Sequence, residues 1–188
     1  MPRSLLSVFP AAVLVLATAG VLPGCSSDAT GPRIAASAVA TIRDAAGAAI
    51  GTATLQEDDA GTVRLSVTVA GLTPGEHGIH VHAVGSCAAS GATAFGAAGG
   101  HFNPHGKAHG LANAGGAHGG DLPNLVVGAD GRGTFQATTD RLTLTAGAAS
   151  LFDADGAAIV VHAGRDDQTS DPAGNSGARV ACGVIAAQ

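Results

Sequence analysis

Aromatic residues are almost absent from this chain of 188 residues, which has no tryptophan, no tyrosine and only five phenylalanines. Hydrophobic residues still make up 46% of it, so the core must be built from small and β-branched side chains and helped by cross-links. Charge is also sparse, because 9 Lys and Arg against 14 Asp and Glu give a net charge of −5. This balance argues against a face that binds nucleic acid or anionic membranes.

Cysteine is scarce too, and the first of the three cysteines ends an N-terminal signal. Arg3 is followed by an apolar run from Leu5 to Val21 and then by Leu22-Pro-Gly-Cys25. This segment resembles a bacterial lipoprotein signal, in which the peptide is cut before a cysteine that is then lipidated. The alternative is a single transmembrane helix, although the apolar run is at the short limit for a span and contains Pro10.

We therefore predict a signal peptide over residues 1–25, a flexible tether over 26–33 and a folded domain over 34–188. The mature chain would be lipid-anchored in the cell envelope and would face the periplasm or the outside. Cys87 and Cys182 would then lie in an oxidising compartment, where we expect them to form a disulfide bond. Two buried free thiols are the alternative.

From Ile34 onward the sequence has a β pattern, with short runs of Val, Ile, Thr and Leu separated by Gly, Asp and Pro. The pattern predicts eight strands and an all-β antiparallel sandwich or barrel. Two long connections, about 85–123 and 163–178, hold the polar chemistry, as expected for functional loops on a rigid scaffold. The predicted strands cover about 35–44, 48–57, 62–70, 77–84, 124–129, 133–140, 157–162 and 179–186.

Six of the eight histidines fall between Gly78 and Asp121. Side chains on a strand alternate between its faces, so His80 and His82 lie on one face and can bind one metal ion. His77 has the opposite parity, and we predict a hydrogen-bonded structural histidine there. His162 ends another apolar strand and would supply a third imidazole if the sheet closes. Three or four imidazoles suit copper.

A second group of possible ligands follows in a segment rich in Gly, Ala and Pro. Three imidazoles and a carboxylate complete a tetrahedral zinc site with no position for water, which is typical of structural zinc. The four residues are His101, His109, His118 and Asp121. His101 could serve both metals through its two ring nitrogens, although spacing alone does not establish this bridge.

The chain resembles the Cu/Zn superoxide dismutases over residues 34–188. The matching segments are Gly78-Ile-His-Val-His82, Gly100-His-Phe-Asn-Pro104, His109-Gly110, Gly119-Gly-Asp-Leu-Pro-Asn124, Val160-Val-His162 and Gly174-Asn-Ser-Gly-Ala-Arg-Val-Ala-Cys-Gly-Val184. The resemblance implies an eight-stranded Greek-key β-barrel or sandwich, immunoglobulin-like in architecture, with two long functional loops. It also implies one copper and one zinc per subunit, and a monomer or homodimer.

The resemblance assigns roles to individual residues. Copper would bind His80, His82, His101 and His162, and zinc would bind His101, His109, His118 and Asp121. Arg179 would attract superoxide, His101 would also carry a proton, and Asp166 would hydrogen-bond one histidine of each metal. Cys87 and Cys182 would form the intrasubunit disulfide.

The implied activity is disproportionation of superoxide to dioxygen and hydrogen peroxide by copper, with zinc as a structural ion. The alternative is a copper-binding or copper-delivery lipoprotein with the same fold and no turnover, which would not need Arg179. Two residues depart from the family, since Ala173 replaces a frequent threonine and His105 is an extra histidine, which we expect to be exposed. The second loop is acidic, so Lys107, Arg165 and Arg179 would attract the anion only locally.

Overall fold

Buried and exposed side chains alternate along the strands of this domain. In the third strand Val63, Leu65 and Val67 are fully buried, whereas the intervening Arg64 and the following Thr68 are exposed. This period of two places apolar side chains on the inner face and polar side chains in solvent. Leucine fills the core together with alanine and valine. The composition predicts a core of small and β-branched side chains, and leucine belongs to neither class.

The structure is a computed structural model, and it describes Met1 and residues 31–188. The predicted signal beyond Met1, including Cys25, and residues 26–30 of the predicted tether lie outside the described residues. Within residues 31–188 there are ten strands and one short 3-10 helix, Gly96–Ala98. The strands are β1 (Ile34–Asp44), β2 (Ala49–Asp58), β3 (Val63–Ala70), β4 (Gly75–His77), β5 (Ile79–His82), β6 (Leu125–Val127), β7 (Arg132–Thr139), β8 (Ala158–His162), β9 (Arg179–Val184) and β10 (Ala186–Ala187).

The strands form one antiparallel sheet in the order β4-β6-β7-β3-β2-β1-β9-β8-β5, with β10 paired to β1. The two ends of this order, β4 and β5, are joined in the chain by Gly78, so the sheet curls into a nearly closed barrel. The chain crosses the end of the barrel between β3 and β4, because β6 and β7 lie between them, as in a Greek key. The predicted antiparallel β-barrel is confirmed.

All eight predicted strands are present, and two of them are divided. The predicted strand 77–84 becomes β4 and β5, because His77 pairs with β6 whereas Ile79 pairs with β8. The predicted strand 179–186 becomes β9, which pairs with β8, and β10, which pairs with β1. Each division lets one run of chain pair with two neighbours and so helps to close the barrel.

Three of the loops that connect the strands are long. The two that the sequence predicts lie between β5 and β6 and between β8 and β9. A third, residues 140–157, was not singled out by the sequence pattern and connects β7 to β8. The buried carboxylate of Glu57 anchors this third loop by accepting hydrogen bonds from the backbone N–H groups of Leu144 and Thr145, both at 2.7 Å.

The predicted disulfide is present and joins Cys87, in the first loop, to Cys182 on β9. It spans 95 residues of sequence, and closing a loop of that length stabilises the folded state by roughly 4–5 kcal/mol on the chain-entropy model.

In the described part of the chain, no helix has the length and apolar character needed to cross a membrane.

Candidate metal centre

Strand β5 is the base of the histidine cluster. His80 and His82 lie on one of its faces, and Ile79 and Val81 point into the core with no exposed surface. β5 pairs with β8, which ends at His162. The ring centroid of His162 is therefore 4.9 Å from that of His80 and 5.7 Å from that of His82. Pairing of two strands thus brings His162 next to histidines that precede it by 80 and 82 residues in the sequence.

The long first loop is held against the other edge of β5 by backbone hydrogen bonds. The N–H of Val81 donates to Gly120 O at 2.9 Å, and the N–H of Phe102 donates to Val81 O at 2.8 Å. These bonds place His101 beside His82 and Asp121 beside His80. A Cβ atom at Gly120 would lie 2.1 Å from Val81 O, so only glycine allows this close approach.

Four imidazoles meet in a first group, made of His80, His82, His101 and His162. One ring nitrogen from each lies within 4.8 Å of those of the other three. Four buried side-chain atoms in residues 31–188 lack a hydrogen-bond partner, and all belong to this group: His80 Nδ1, His82 Nε2, His101 Nε2 and His162 Nε2. Unpaired buried polar atoms are costly. Their convergence fits a shared metal ion, and an all-imidazole donor set suits copper.

The second ring nitrogen of each strand histidine fixes the orientation of its ring. His80 Nε2 donates to Asp166 Oδ2 at 2.6 Å, His82 Nδ1 to Gly99 O at 2.9 Å, and His162 Nδ1 to Gly177 O at 3.1 Å. A hydrogen bond at one nitrogen leaves the lone pair on the other, which is the tautomer that a metal requires.

Burial keeps these imidazoles neutral. It lowers the pKa of His80 to about 3, that of His82 to about 2 and that of His162 to about 4, although each ring also donates a hydrogen bond that acts in the opposite direction. At neutral pH no proton therefore competes with a metal ion for the free lone pairs.

A second group consists of His101, His109, His118 and Asp121. Asp121 Oδ1 lies 2.9 Å from His101 Nδ1, 3.0 Å from His109 Nδ1 and 3.3 Å from His118 Nδ1. Zinc with ligands at 2.0–2.1 Å in a tetrahedron separates its donor atoms by about 3.3–3.4 Å. The separations are close to that spacing, so this donor set fits zinc.

Asp121 is held by its other oxygen. Oδ2 accepts the backbone N–H groups of Gly110 at 2.8 Å and of His118 at 2.9 Å. Burial acts to raise the pKa of Asp121, but the hydrogen bonds from His101 and from the Gly110 N–H hold it well below its ordinary value. Asp121 is therefore an anion at neutral pH.

His101 belongs to both groups, since its Nε2 faces the first group and its Nδ1 faces the second. The two faces of one buried ring thus point at two different donor sets. This is the arrangement that an imidazole bridging two metal ions requires.

Asp166 connects the two groups a second time. Its Oδ2 accepts from His80 Nε2 at 2.6 Å and its Oδ1 from His109 Nε2 at 3.0 Å. Burial acts to raise the pKa of Asp166, yet the hydrogen bonds from His80 and His109 and from the Gln168 N–H lower it to about 2. The carboxylate is therefore ionised and orients one histidine of each group.

The surroundings of Asp166 leave it little freedom. Asn124 donates to Asp166 O at 2.9 Å and accepts from Asp166 N at 2.8 Å. A Cβ atom at Gly174 would lie 1.8 Å from Asp166 Oδ1, so glycine is needed there as well.

Arg179 lies at the start of β9, directly across from His162. Its Nη1 donates to Phe95 O at 2.7 Å and its Nη2 to Gly99 O at 2.6 Å. The half-buried guanidinium borders a pocket that opens to solvent over the first histidine group. The other lining side chains include His82, His101, His118, His162, Pro172 and Ala173. A small anion entering this pocket would meet the imidazoles and a fixed cation together.

Three residues that the sequence analysis considers lie outside both donor groups. His77 is a structural histidine, as predicted, because its ring nitrogens lie 2.7 Å from His162 O and 2.8 Å from Thr73 O. His105 is exposed, also as predicted. Arg165, expected to help attract the anion, forms an ion pair with Glu76 at 3.0 Å, so its charge is largely compensated.

Sequence reasoning missed Arg141, which lies in the third loop. Its Nη2 donates to Asp121 O at 2.8 Å and its Nε to His118 O at 3.2 Å. It thus holds the backbone of two residues of the second group. No motif around Arg141 signals this contact, because only the fold brings the third loop to the first.

The comparisons with known proteins agree with this geometry. Residues 49–185 match the family model described as copper/zinc superoxide dismutase. The superoxide dismutase [Cu-Zn] of Deinococcus radiodurans is 44% identical over 158 residues, which cover 79% of this chain and 83% of that protein. The crystal structure of a SOD-like protein from Bacillus subtilis is similar with a TM-score of 0.72 and 37% identity, over 77% of this chain and 95% of that one. The Cu/Zn superoxide dismutase from Brucella abortus has a TM-score of 0.66 and 32% identity, over 80% of this chain and 99% of that one.

Proposed function

Since this chain belongs to the copper/zinc superoxide dismutase family, we propose that it converts two superoxide anions and two protons into dioxygen and hydrogen peroxide. Copper would bind His80, His82, His101 and His162, and zinc would bind His101, His109, His118 and Asp121. The observation that carries the proposal is the set of four buried, unpaired imidazole nitrogens that converge beside Arg179.

Copper held by the first group would supply the one-electron redox chemistry that superoxide disproportionation requires. Arg179 would attract and orient each anion, since its guanidinium is held by two backbone carbonyls and borders the open side of the pocket. His101 would hold a proton at Nε2 during the reduced half of the cycle and release it to the product. Asp166 would keep the rings of His80 and His109 in place throughout.

Zinc has no redox chemistry of its own, and its contribution would be structural and electrostatic. Asp121 and three imidazoles would enclose it completely. Its charge beside His101 Nδ1 would shape the basicity of the same ring at Nε2.

The activity is tested by measuring superoxide removal with the purified chain loaded with copper and zinc, and with a zinc-only preparation as the control. We expect fast removal that requires copper. Stoichiometric copper binding without superoxide removal would contradict the proposal and favour the copper-binding or copper-delivery lipoprotein.

We propose further that residues 1–25 are a cleaved signal and that Cys25 carries lipid, which would anchor the enzyme in the cell envelope. The support is the sequence alone, with an apolar run that ends in Leu22-Pro-Gly-Cys25. In bacterial cells fed a fatty-acid label, the full chain should become labelled and the Cys25→Ser variant should not. Equal labelling of both proteins would contradict the assignment of Cys25 as the lipidated residue.

A further inference from the structure

Phe95 has an unusual backbone conformation for a bulky residue. Its φ of 56° and ψ of 20° lie in the left-handed region, directly before the 3-10 helix Gly96–Ala98. An aromatic residue adopts this conformation at a cost and keeps it only where the surroundings enforce it. Such outliers cluster at functional sites.

The phenyl ring of Phe95 makes the contacts that hold this backbone conformation. It is 7% exposed and belongs to a small apolar cluster, separate from the main core. The cluster also contains Ala98, Ala158, Val160 and Cys182, with Ala94 and Cys87 packed against it. The ring therefore packs beside the disulfide and ties this part of the first loop to strands β8 and β9.

The carbonyl of Phe95 points at the site. Its oxygen accepts from Arg179 Nη1 at 2.7 Å and also from the Ala98 N–H at 3.2 Å. Gly99 O, four residues later, accepts from Arg179 Nη2 at 2.6 Å and from His82 Nδ1 at 2.9 Å. One turn of chain thus holds the guanidinium at two points and fixes it relative to His82.

We propose that Phe95 is a positioning residue for Arg179. Its ring holds the left-handed turn, the turn directs the Phe95 carbonyl at the guanidinium, and the guanidinium then presents its remaining N–H groups to an anion in the pocket. The inference rests on the proposed function in that the natural anion is superoxide. Glycine would adopt the same backbone conformation more easily, so the ring, rather than the φ angle, is the feature under test.

The test compares anion binding in the full chain loaded with copper and zinc. Azide is the probe, and its binding to copper is followed by the charge-transfer absorption that it produces. In the Phe95→Gly variant we expect the azide dissociation constant to rise by about three- to tenfold, the effect of weakening one hydrogen bond of ordinary strength. Phe95→Leu, which keeps an apolar side chain in the cluster, should restore most of the affinity.

Azide binding is also measured in two reference variants. Arg179→Ala gives the largest loss that positioning could cause. Phe152→Gly removes a phenylalanine that lies on the third loop and is 37% exposed, and it should bind azide as the unmodified chain does. Metal content and free thiols are measured in every variant, so that loss of metal or of the disulfide is not mistaken for loss of positioning.

Azide binding to Phe95→Gly as tight as to the unmodified chain would overturn the inference, and so would an equal loss in Phe152→Gly. Should Phe95→Gly fail to retain both metals, Phe95→Ala takes its place with the same expectation. Absence of superoxide removal by the unmodified chain would instead contradict the proposed function. That outcome is independent of the azide comparison, which would still show whether the ring positions Arg179.

Discussion

Both ring nitrogens of each histidine in the first group have an assigned direction. His80, His82 and His162 donate from one nitrogen to a carboxylate or a carbonyl and leave the other unpaired in the first group. His101 turns one nitrogen to each group. The chemistry at this scale depends on hydrogen bonds that select a tautomer before any metal binds.

Arg179→Ala should lower kcat/KM for superoxide by about ten- to hundredfold, the effect of removing one hydrogen bond to a charged group. Copper and zinc contents should not change, because Arg179 contacts backbone carbonyls and belongs to neither donor group. Arg132→Ala, at an exposed arginine on β7, is the matched control. Loss of metal from the Arg179 variant would show that its role is structural.

Asp166→Asn should weaken both metal sites, because the carboxylate orients His80 in one group and His109 in the other. Removal of such a supporting carboxylate costs about 10–100-fold in metal affinity. Competition with a chelator would measure both affinities. Asp167→Asn is the control, since Asp167 is adjacent but bonds to Thr169, Ser170 and Asn175 instead. A loss confined to one metal would contradict the bridging role.

At the scale of elements, strand β5 organises the site. One edge pairs with β8 and brings in His162, and the other edge pairs with the first loop and brings in His101 and Asp121. The loop has little regular structure of its own. Its order comes from these backbone bonds, from Arg141 and from the donor group around Asp121.

Asp121→Ala should release zinc and loosen the first loop, because Oδ1 is a member of the donor group and Oδ2 holds the N–H groups of Gly110 and His118. Metal analysis and amide hydrogen exchange of the loop would measure the two effects. Asp59→Ala, in the exposed turn between β2 and β3, should change neither. Full zinc content in the Asp121 variant would refute its assignment as a ligand.

The sequence predicted the parts of this site that follow from local pattern. Alternation gave the strands and the shared face of His80 and His82, and the motifs named the residues that the structure brings into the two groups. Arg141 and Glu57 could not be found in this way, because each acts on backbone atoms of a loop distant in sequence. The left-handed Phe95 was also missed, since nothing in its neighbours requires that conformation.

At the scale of the whole molecule, the barrel is a frame that holds several buried imidazoles in their neutral form. The unfolded chain exposes these imidazoles to solvent. The folded and unfolded states therefore bind different numbers of protons at acidic pH. The folded pKa values of about 3, 2 and 4 for His80, His82 and His162 lie below the ordinary value of 6.5. Below pH 6.5 the unfolded chain therefore takes up protons that the folded chain does not.

The free energy of unfolding of the metal-free protein should be insensitive to these three groups above pH 6.5 and should fall as the pH drops from 6.5 to about 4. Each imidazole contributes a slope of up to about 1.4 kcal/mol per pH unit. Denaturant titrations across this range would measure it. His162→Gln should reduce the slope and His105→Gln, at an exposed site, should not. A flat profile, or stability that rises on acidification, would contradict the low pKa values.

We propose above all that one ring, His101, lies between a copper ion and a zinc ion. Anomalous diffraction at the copper and zinc absorption edges, from crystals of the metal-loaded protein, tests this claim most directly. We predict one copper peak bounded by His80, His82, His101 and His162, and one zinc peak bounded by His101, His109, His118 and Asp121. A copper peak elsewhere, or a His101 ring that contacts only one peak, would contradict the account.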